Sequence, residues 1–288
     1  DGLKKLEYRG YDSWGIAALT ANANASGASR ASPFSVIKRI GKIGAIDGDY
    51  LRTSIKEENH VAIGHTRWAT HGGITEQNAH PHLDCSGRIA VVHNGIIDNH
   101  HEIRKALVNN GHKFLSQTDS EVIPHMIESL MNSENSEGSG GLDFAASVRK
   151  TANALKGRSA FVAINSETEQ VAAARKGTPL ILGVHENSNE EFFVASDITA
   201  FLDHTNEVMY LDDNEMAVLD GKVTFYNLET GAEVQKRIVD IHWHQASIEK
   251  EGYDHFLIKE IMEQKHTIAA AINQDDSKIQ ALADAIKN

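Results

Sequence analysis

Hydrophobic and polar positions alternate along the chain in a way that predicts strands early, helices in the middle, strands again, and helices at the end. WGIAALT (14–20), FSVIKRIG (34–41) and HVAIGHTRW (60–68) read as strands, the last of them buried. RIAVVHNGIID (88–98) has the β-branched enrichment of a core strand, interrupted at the turn dipeptide Asn94-Gly95. Before them, DGLKKLEYRGYDS reads as the last turns of a helix stopped by Gly10, then a turn through Asp12 and Ser13. IDGDYLRTSIK (46–56) is a short helix candidate. Helical spacing returns in HEIRKALVNNG (101–111), with Ile103, Leu107 and a stop at Gly111, and Asp98 or Asn99 is placed to cap it. Thr118 or Asp119 is predicted to open a helix over SEVIPHMIESLM, and LDFAASVRKTANAL makes a third.

From residue 159 the pattern is β: SAFVAINSE, QVAAARK, PLILGV, EFFVAS, EVMYLDD, EMAVLD and KVTFYNL follow one another with turn signals at short intervals. That spacing favours antiparallel hairpins over βαβ units. Helices resume in HFLIKEIMEQKHTIAAAI and DSKIQALADAIKN. The low-complexity ANANASGASRAS (21–32) reads as a hairpin loop and NSENSEGSGG (132–141) as a linker. Antiparallel sheets with helices gathered in blocks suggest a layered α+β sandwich.

Composition narrows the partners. A 288-residue chain with 41% hydrophobic residues can bury a substantial core. Its formal charge of −12 argues against binding a nucleic-acid backbone. The longest apolar runs, such as PLILGV, fall far short of a membrane span. The single cysteine, Cys85, excludes an internal disulfide framework and suits a reducing cytoplasm. The first residue is Asp1 rather than methionine, and the expectation is that an upstream segment is missing.

Three polar patches carry candidate chemistry. In GHTRWATHGG (64–73), Arg67 can fork onto a carboxylate through two parallel hydrogen bonds, Thr70 and His71 add donors, and Gly72-Gly73 allows close backbone approach. The plainer alternative is a buried arginine paired with a structural carboxylate, and Trp68 taken alone reads as core. In VVHNGIIDN, the Asn94 amide and a backbone N–H can meet at one point, the donor pair of an oxyanion hole; the plainer alternative is a tight turn. In SQTDSE, Asp119 is either a helix cap or an anion facing an ammonium group. Together they describe an amino-acid site for acyl chemistry. HPH (His80, His82) and HWH (His242, His244) have chelating spacing, but neither has a third ligand at a recognisable interval, so no metal is expected.

The motifs LEYRGYDSWGIA, GHTRWATHGG, NAHPH, VVHNGIIDN, TDSE, ARKGTPLILG, ASD and KEIMEQ, in this order, resemble the glutaminase domain of the glutamine–fructose-6-phosphate aminotransferase family, within the class II glutamine amidotransferases. The resemblance runs to about residue 270. Related amidophosphoribosyltransferases carry glutamine where Tyr11 stands, which favours the sugar-enzyme family. It implies the αββα four-layer sandwich of N-terminal-nucleophile hydrolases, here lacking its first strand. A glutaminase domain is expected over 1–243 and a helical linker over 244–288, leading to absent sugar-isomerase domains.

Carried over by motif, Arg67 binds the α-carboxylate of glutamine, with Thr70 and His71 assisting, and Asp119 with the Gly95 carbonyl holds the α-ammonium. Asn94 and the Gly95 N–H form the oxyanion hole. Trp68 corresponds to a gate, Arg9 to an arginine near the nucleophile, and His80 and His82 to the site wall. The family nucleophile is an N-terminal cysteine whose own amine is the base. No such residue is present, and Cys85, in the turn LDCSG and outside the motifs, reads as a small loop residue rather than a substitute. The chain as given is therefore expected to be inactive. Lys265 replaces a family proline after KEIMEQ. The implied partners are glutamine and, in the absent domains, fructose 6-phosphate, with no metal or organic cofactor, no nucleic acid, no membrane and a homo-oligomeric full-length enzyme. An amidotransferase with another acceptor and a non-catalytic glutamine-binding module are the alternatives.

Overall fold

The computed structural model describes residues 1–20, 32–45, 55, 60–133, 141–185, 188–241, 253, 256–272 and 276–287. The predicted loop 21–32 apart from residue 32, the helix candidate 46–56 apart from residue 55, most of the 132–141 linker, and His242 and His244 lie outside the described residues.

The opening helix is shorter than its pattern suggests. α1 covers Gly2–Lys5, and a 3-10 turn over Glu7–Arg9 follows before extended backbone at Gly10. Ser13 then belongs to a strand rather than a turn. β1 (Ser13–Leu19) is the centre of a three-stranded antiparallel sheet, between β2 (Phe34–Ile40) and β3 (Ala62–Arg67). That position explains the burial of six of the seven β1 residues, while β3, with one edge unpaired in this sheet, is only partly buried.

The second sheet has seven strands. β4 (His82–Leu83) pairs with β5 (Ile89–Gly95) at one edge. Next come β6 (Ser159–Asn165) and β7 (Val171–Lys176). The third sheet takes the next strands of the chain: β8 (Ile181–His185), β9 (Ser188–Ala195) and β10 (Glu207–Tyr210). The chain then returns to the seven-stranded sheet with β11 (Glu215–Leu219), β12 (Val223–Asn227) and β13 (Glu233–Val234), and ends the third sheet with β14 (Val239–Asp240). The orders are β13-β12-β11-β7-β6-β5-β4 and β14-β10-β8-β9, and all named pairs are antiparallel.

The period-2 alternation of the seven-stranded sheet separates two cores. Val91, Phe161, Ala163, Ala174, Met216 and Val218 point to a face covered by three helices: α2 (His100–Asn109), α3 (Val122–Asn132) and α4 (Phe144–Ala154). The intervening residues Ala90, Val92, Ala160, Val162, Ala173 and Ala217 face Leu19 and Ile63 of the first sheet and Leu182 of the third. Helices, one sheet, then the other two sheets thus form successive layers, as an α+β chain of this pattern requires.

Three local readings need correction. β5 continues through Asn94 and Gly95, paired with Ala160 and Ser159, so the dipeptide ends a strand instead of making a hairpin turn. α3 begins at Val122, after Asp119, and its flanking Glu121 makes no side-chain cap. Asn99 does precede α2, but its side chain bonds Ala154 and Lys156 across the helix–strand junction rather than capping.

The chain divides into two compact units, Asp1–Ile241 and His242–Asn288. The second contains α5 (Phe256–Ile272) and α6 (Asp276–Lys287). Lys265 lies inside the unbroken α5, where a proline would remove a backbone hydrogen bond and clash with the preceding turn. Among the described residues no helix is long and apolar enough to cross a membrane.

Candidate active site

A cleft of about 1120 Å³ opens beside β3, the C-terminal end of β5 and the segment before α3. Arg9, Arg67, Trp68, Thr70, His71, Asn94, Gly95 and Asp119 all line it.

Arg67 ends β3 as a buried guanidinium. Its Nη1 donates to the Gly73 carbonyl at 3.1 Å, and its Nη2 to the His71 carbonyl at 2.5 Å and the Gly72 carbonyl at 3.4 Å. The plainer expectation for this residue, a bonded structural carboxylate, is therefore replaced by a ring of backbone carbonyls. Burial lowers its pKa, while the charges of Asp12 and Asp119 act in the opposite direction. The same loop is tied from outside: Asn78 Nδ2 donates to the Gly73 carbonyl at 2.9 Å, and Asn78 Oδ1 accepts from the Gln117 N–H at 2.9 Å. Gly72 has φ +78°, and a Cβ there would lie 2.8 Å from Asn78 Nδ2, so the loop needs glycine on both counts.

Trp68 is 59% exposed and stands beside exposed Tyr11, ring centroids 5.5 Å apart, so its reading as core is incorrect. Thr70 is exposed and His71 half-buried at the cleft wall. Arg9 reaches across to the end of β9, with Nη1 donating to the Ser196 carbonyl at 3.2 Å and lying 3.7 Å from Asp197 Oδ2.

Asp119 is buried, and its Oδ2 accepts from the Ile97 N–H at 2.8 Å, which leaves it no capping role on α3. His71 Nδ1 lies 4.0 Å from the same oxygen. Asn94 follows Val92 on the face of β5 that lines the cleft, and Gly95 closes the strand at φ +142°. A Cβ on Gly95 would sit 2.1 Å from the Arg158 carbonyl oxygen. Gly95→Ala is expected to destabilise the fold by about 2–4 kcal/mol, from strain at a special φ together with a backbone clash. A denaturant midpoint unchanged from that of the parent chain would contradict this.

The cleft is also lined by His65, His80 and His93, with His82 packed against His80, so of the two histidines expected in the site wall His80 lines the cleft itself. His80 stacks between His65 and His82, with centroid distances of 4.3 and 4.7 Å. His80 Nδ1 accepts from the His93 N–H at 3.4 Å, His93 Nδ1 pairs with Ser120 Oγ at 2.8 Å, and His82 Nε2 pairs with Thr118 Oγ1 at 2.9 Å. Burial pushes His65 down to about 3 and His93 to about 4, and holds His80 and His82 well below the usual histidine range. His93, paired with Ser120, is therefore neutral at pH 7. Burial alone would raise Glu121, but the neighbouring His125 ring and hydrogen bonds from the Leu115 N–H and the Ser116 N–H and hydroxyl hold it down to about 2. That carboxylate fixes the segment leading to Asp119.

Asn78, Gln117, Ser120 and Asp12 were missed as site-shaping residues. Asn78 and Ser120 lie inside the quoted motifs NAHPH and TDSE, so the signal was present there. Asp12, read as a turn residue, accepts from the Ala69 N–H at 2.9 Å and so anchors the loop after β3.

The fold is that of class II glutamine amidotransferases. A glutamine phosphoribosylpyrophosphate amidotransferase from B. subtilis is similar over 80% of this chain and 46% of that chain, with a TM-score of 0.61 and 24% identity. A glutamine aminotransferase class-II domain protein from Silicibacter pomeroyi matches 76% of this chain and 96% of its own, with a TM-score of 0.52 and 13% identity. The glutamine amidotransferase domain family matches residues 65–203 of this chain. A glutamine–fructose-6-phosphate aminotransferase (isomerizing) of Methanothermobacter thermautotrophicus is 42% identical over 276 residues, covering 95% of this chain and 42% of that protein. The enzyme of the same name from Thermococcus kodakarensis is 40% identical over 294 residues, covering 100% of this chain and 44% of its own. The chain thus spans less than half the length of these curated relatives.

Proposed function

We propose that this chain is the glutaminase part of a glutamine–fructose-6-phosphate aminotransferase. The observation that carries this reading is that Arg67, Thr70, His71, Asn94, Gly95 and Asp119, drawn from three separate motifs, line one cleft. Glutamine lies in it with its α-carboxylate toward the positive charge of Arg67 and the donors of Thr70 and His71. Its α-ammonium faces the Asp119 carboxylate and the Gly95 carbonyl. The side-chain amide carbonyl points at the Asn94 amide and the Gly95 N–H, which stabilise the developing oxyanion. A thiolate attacks the amide carbon, the C–N bond breaks, and ammonia leaves with a proton carried by the amine base. Water then hydrolyses the thioester to glutamate and free thiol.

The thiol belongs to a cysteine heading an upstream strand. Among the described residues lining the cleft there is no cysteine. The cleft also runs between β3 and β9, both of which end their sheets and both of which line it. One further strand seated there would pair both edges and join the two smaller sheets, giving the four-layer αββα sandwich. In the whole protein, Trp68 gates the passage of ammonia to fructose 6-phosphate, giving glucosamine 6-phosphate, in a homo-oligomeric cytoplasmic enzyme needing no cofactor, nucleic acid or membrane.

Ammonia release from glutamine tests this reading. The chain of residues 1–288 is expected to release none, and the same chain extended by a cysteine-led segment is expected to release it. In the extended form, Arg67→Ala should raise KM at least tenfold. Ammonia release by the unextended chain, or an unchanged KM for Arg67→Ala, would overturn the assignment.

A further inference from the structure

Outside the cleft, four side chains with metal-binding atoms converge under the turn that follows β4. Cys85 in that turn, His112 after α2, and His125 and Glu128 on α3 each offer one ligand atom, all within 4.8 Å of one another. Cys85 Sγ lies 3.5 Å from His125 Nδ1 and 3.7 Å from His112 Nδ1. Glu128 Oε2 lies 3.1 Å from His112 Nδ1 and 3.7 Å from His125 Nδ1. A tetrahedral zinc ion with bonds of about 2.3 Å to sulfur and about 2.0–2.1 Å to nitrogen and oxygen needs ligand–ligand edges of roughly 3.3–3.6 Å. The four observed edges match these to within a few tenths of an ångström, before any closure around an ion.

The surroundings are those of a ligand set. His125 and Glu128 are buried, and His112 is only 11% exposed at its side chain. Coordination through His125 Nδ1 leaves its Nε2, a buried atom with no hydrogen-bond partner, directed at Glu121 Oε1 at 3.8 Å. That is the carboxylate–histidine–metal arrangement that orients an imidazole ligand. Glu128 is fixed in turn: its Oε2 accepts from the Cys85 N–H and its Oε1 from the Ser86 N–H, each at 3.1 Å. The Lys113 N–H donates to Cys85 Sγ at 3.3 Å and so fixes the position of the sulfur.

We propose that Cys85, His112, His125 and Glu128 form a structural zinc site that ties the β4–β5 turn and the α2–α3 loop to α3. Thiolate and imidazole ligands select a borderline-soft ion over magnesium or calcium, and a closed set of four protein ligands leaves no position for a reacting water. Binding displaces the Cys85 thiol proton to solvent. None of the four residues lines the cleft, but the tethered loop leads through Gln117 and Thr118 into Asp119. The ion holds that segment from behind, whatever reaction the cleft carries out.

The full chain, stripped with a chelator and titrated with Zn²⁺ against a chromophoric competitor, is expected to take up one tight equivalent and to gain in Tm. Co²⁺ alone should give the visible bands of a tetrahedral site and a near-ultraviolet thiolate-to-cobalt charge-transfer band. Cys85→Ser should abolish that charge-transfer band, and His112→Ala should weaken Zn²⁺ uptake at least tenfold. If Cys85→Ser proves unfolded, the Co²⁺ spectrum of the parent chain decides. Absence of a thiolate band there, or tight Zn²⁺ uptake undiminished in both variants, would place any bound metal elsewhere and overturn the site.

Discussion

Lowering the pH from 7 to 5 is expected to cost this protein much of its stability, well above the range in which carboxylates ordinarily titrate. His65 and His93, pushed by burial down to about 3 and about 4, stay neutral in the folded chain throughout that window. In the unfolded chain they take up protons near pH 6.5. Between about 6.5 and 4 the unfolded state therefore binds more protons, so stability rises with pH and is lost as the pH falls. Each such histidine contributes up to about 1.4 kcal/mol per pH unit, and two contribute about 2.7. His80 and His82, held well below the usual range, add in the same direction. Glu121, held down to about 2, loses its contribution only below the ordinary glutamate pKa, so it does not confuse the upper window. A domain with a total stability of about 5–15 kcal/mol can be unfolded by such a slope. Urea midpoints measured at half-unit intervals check this, and His93→Gln should flatten the slope by about 1.4 kcal/mol per unit. Equal midpoints at pH 7 and pH 5 would show that the histidines ionise in place.

These histidines also mark where sequence reading reaches its limit. Alternation located β1–β3 and β5–β12, because each alternating run buries one or both faces of a sheet, whereas the two-residue β4 is too short to show a period. It could not tell that His80 and His82 belong inside, since polarity alone argues for the surface. The same limit explains Asp119 and Glu121. Asp119 is an acceptor just before an apolar helical run, which reads as capping chemistry, and Glu121 falls inside the predicted helix. Their carboxylates are taken instead by N–H groups outside the helix, Ile97 for Asp119 and Leu115 and Ser116 for Glu121. Trp68 misled by its size: a large ring reads as core, yet it stands exposed at the mouth of the cleft beside Tyr11. Arg67, Asn94, Gly95 and Asp119 were legible as chemistry because each motif is over-polar for its element. The grip of the Arg67 guanidinium on the 71–73 carbonyls was not, because a bonded backbone leaves no trace in residue identity.

The largest effect on catalysis is expected from Asn94. In the extended, cysteine-led form, Asn94→Ala removes a side-chain donor at the point where negative charge develops on the amide oxygen. Loss of one such donor typically costs about 10²–10³ in kcat. The substitution touches neither end of the amino-acid group of glutamine, so KM should change little, in contrast to Arg67→Ala, whose effect falls on KM. The fold tolerates the change for a specific reason. Asn94 holds its place through β-ladder pairing with Ala160, a backbone arrangement that an alanine preserves, and its side chain faces the cleft rather than the helix-covered core. Gly95 offers no such separation, since its Cβ would collide with the Arg158 carbonyl and a lost rate there would mix chemistry with folding. Steady-state kinetics of Asn94→Ala alongside Arg67→Ala therefore divide the cleft into a charge-stabilising end and a binding end. A fall in kcat of less than threefold for Asn94→Ala would remove Asn94 from the oxyanion hole and leave the Gly95 N–H without its partner donor.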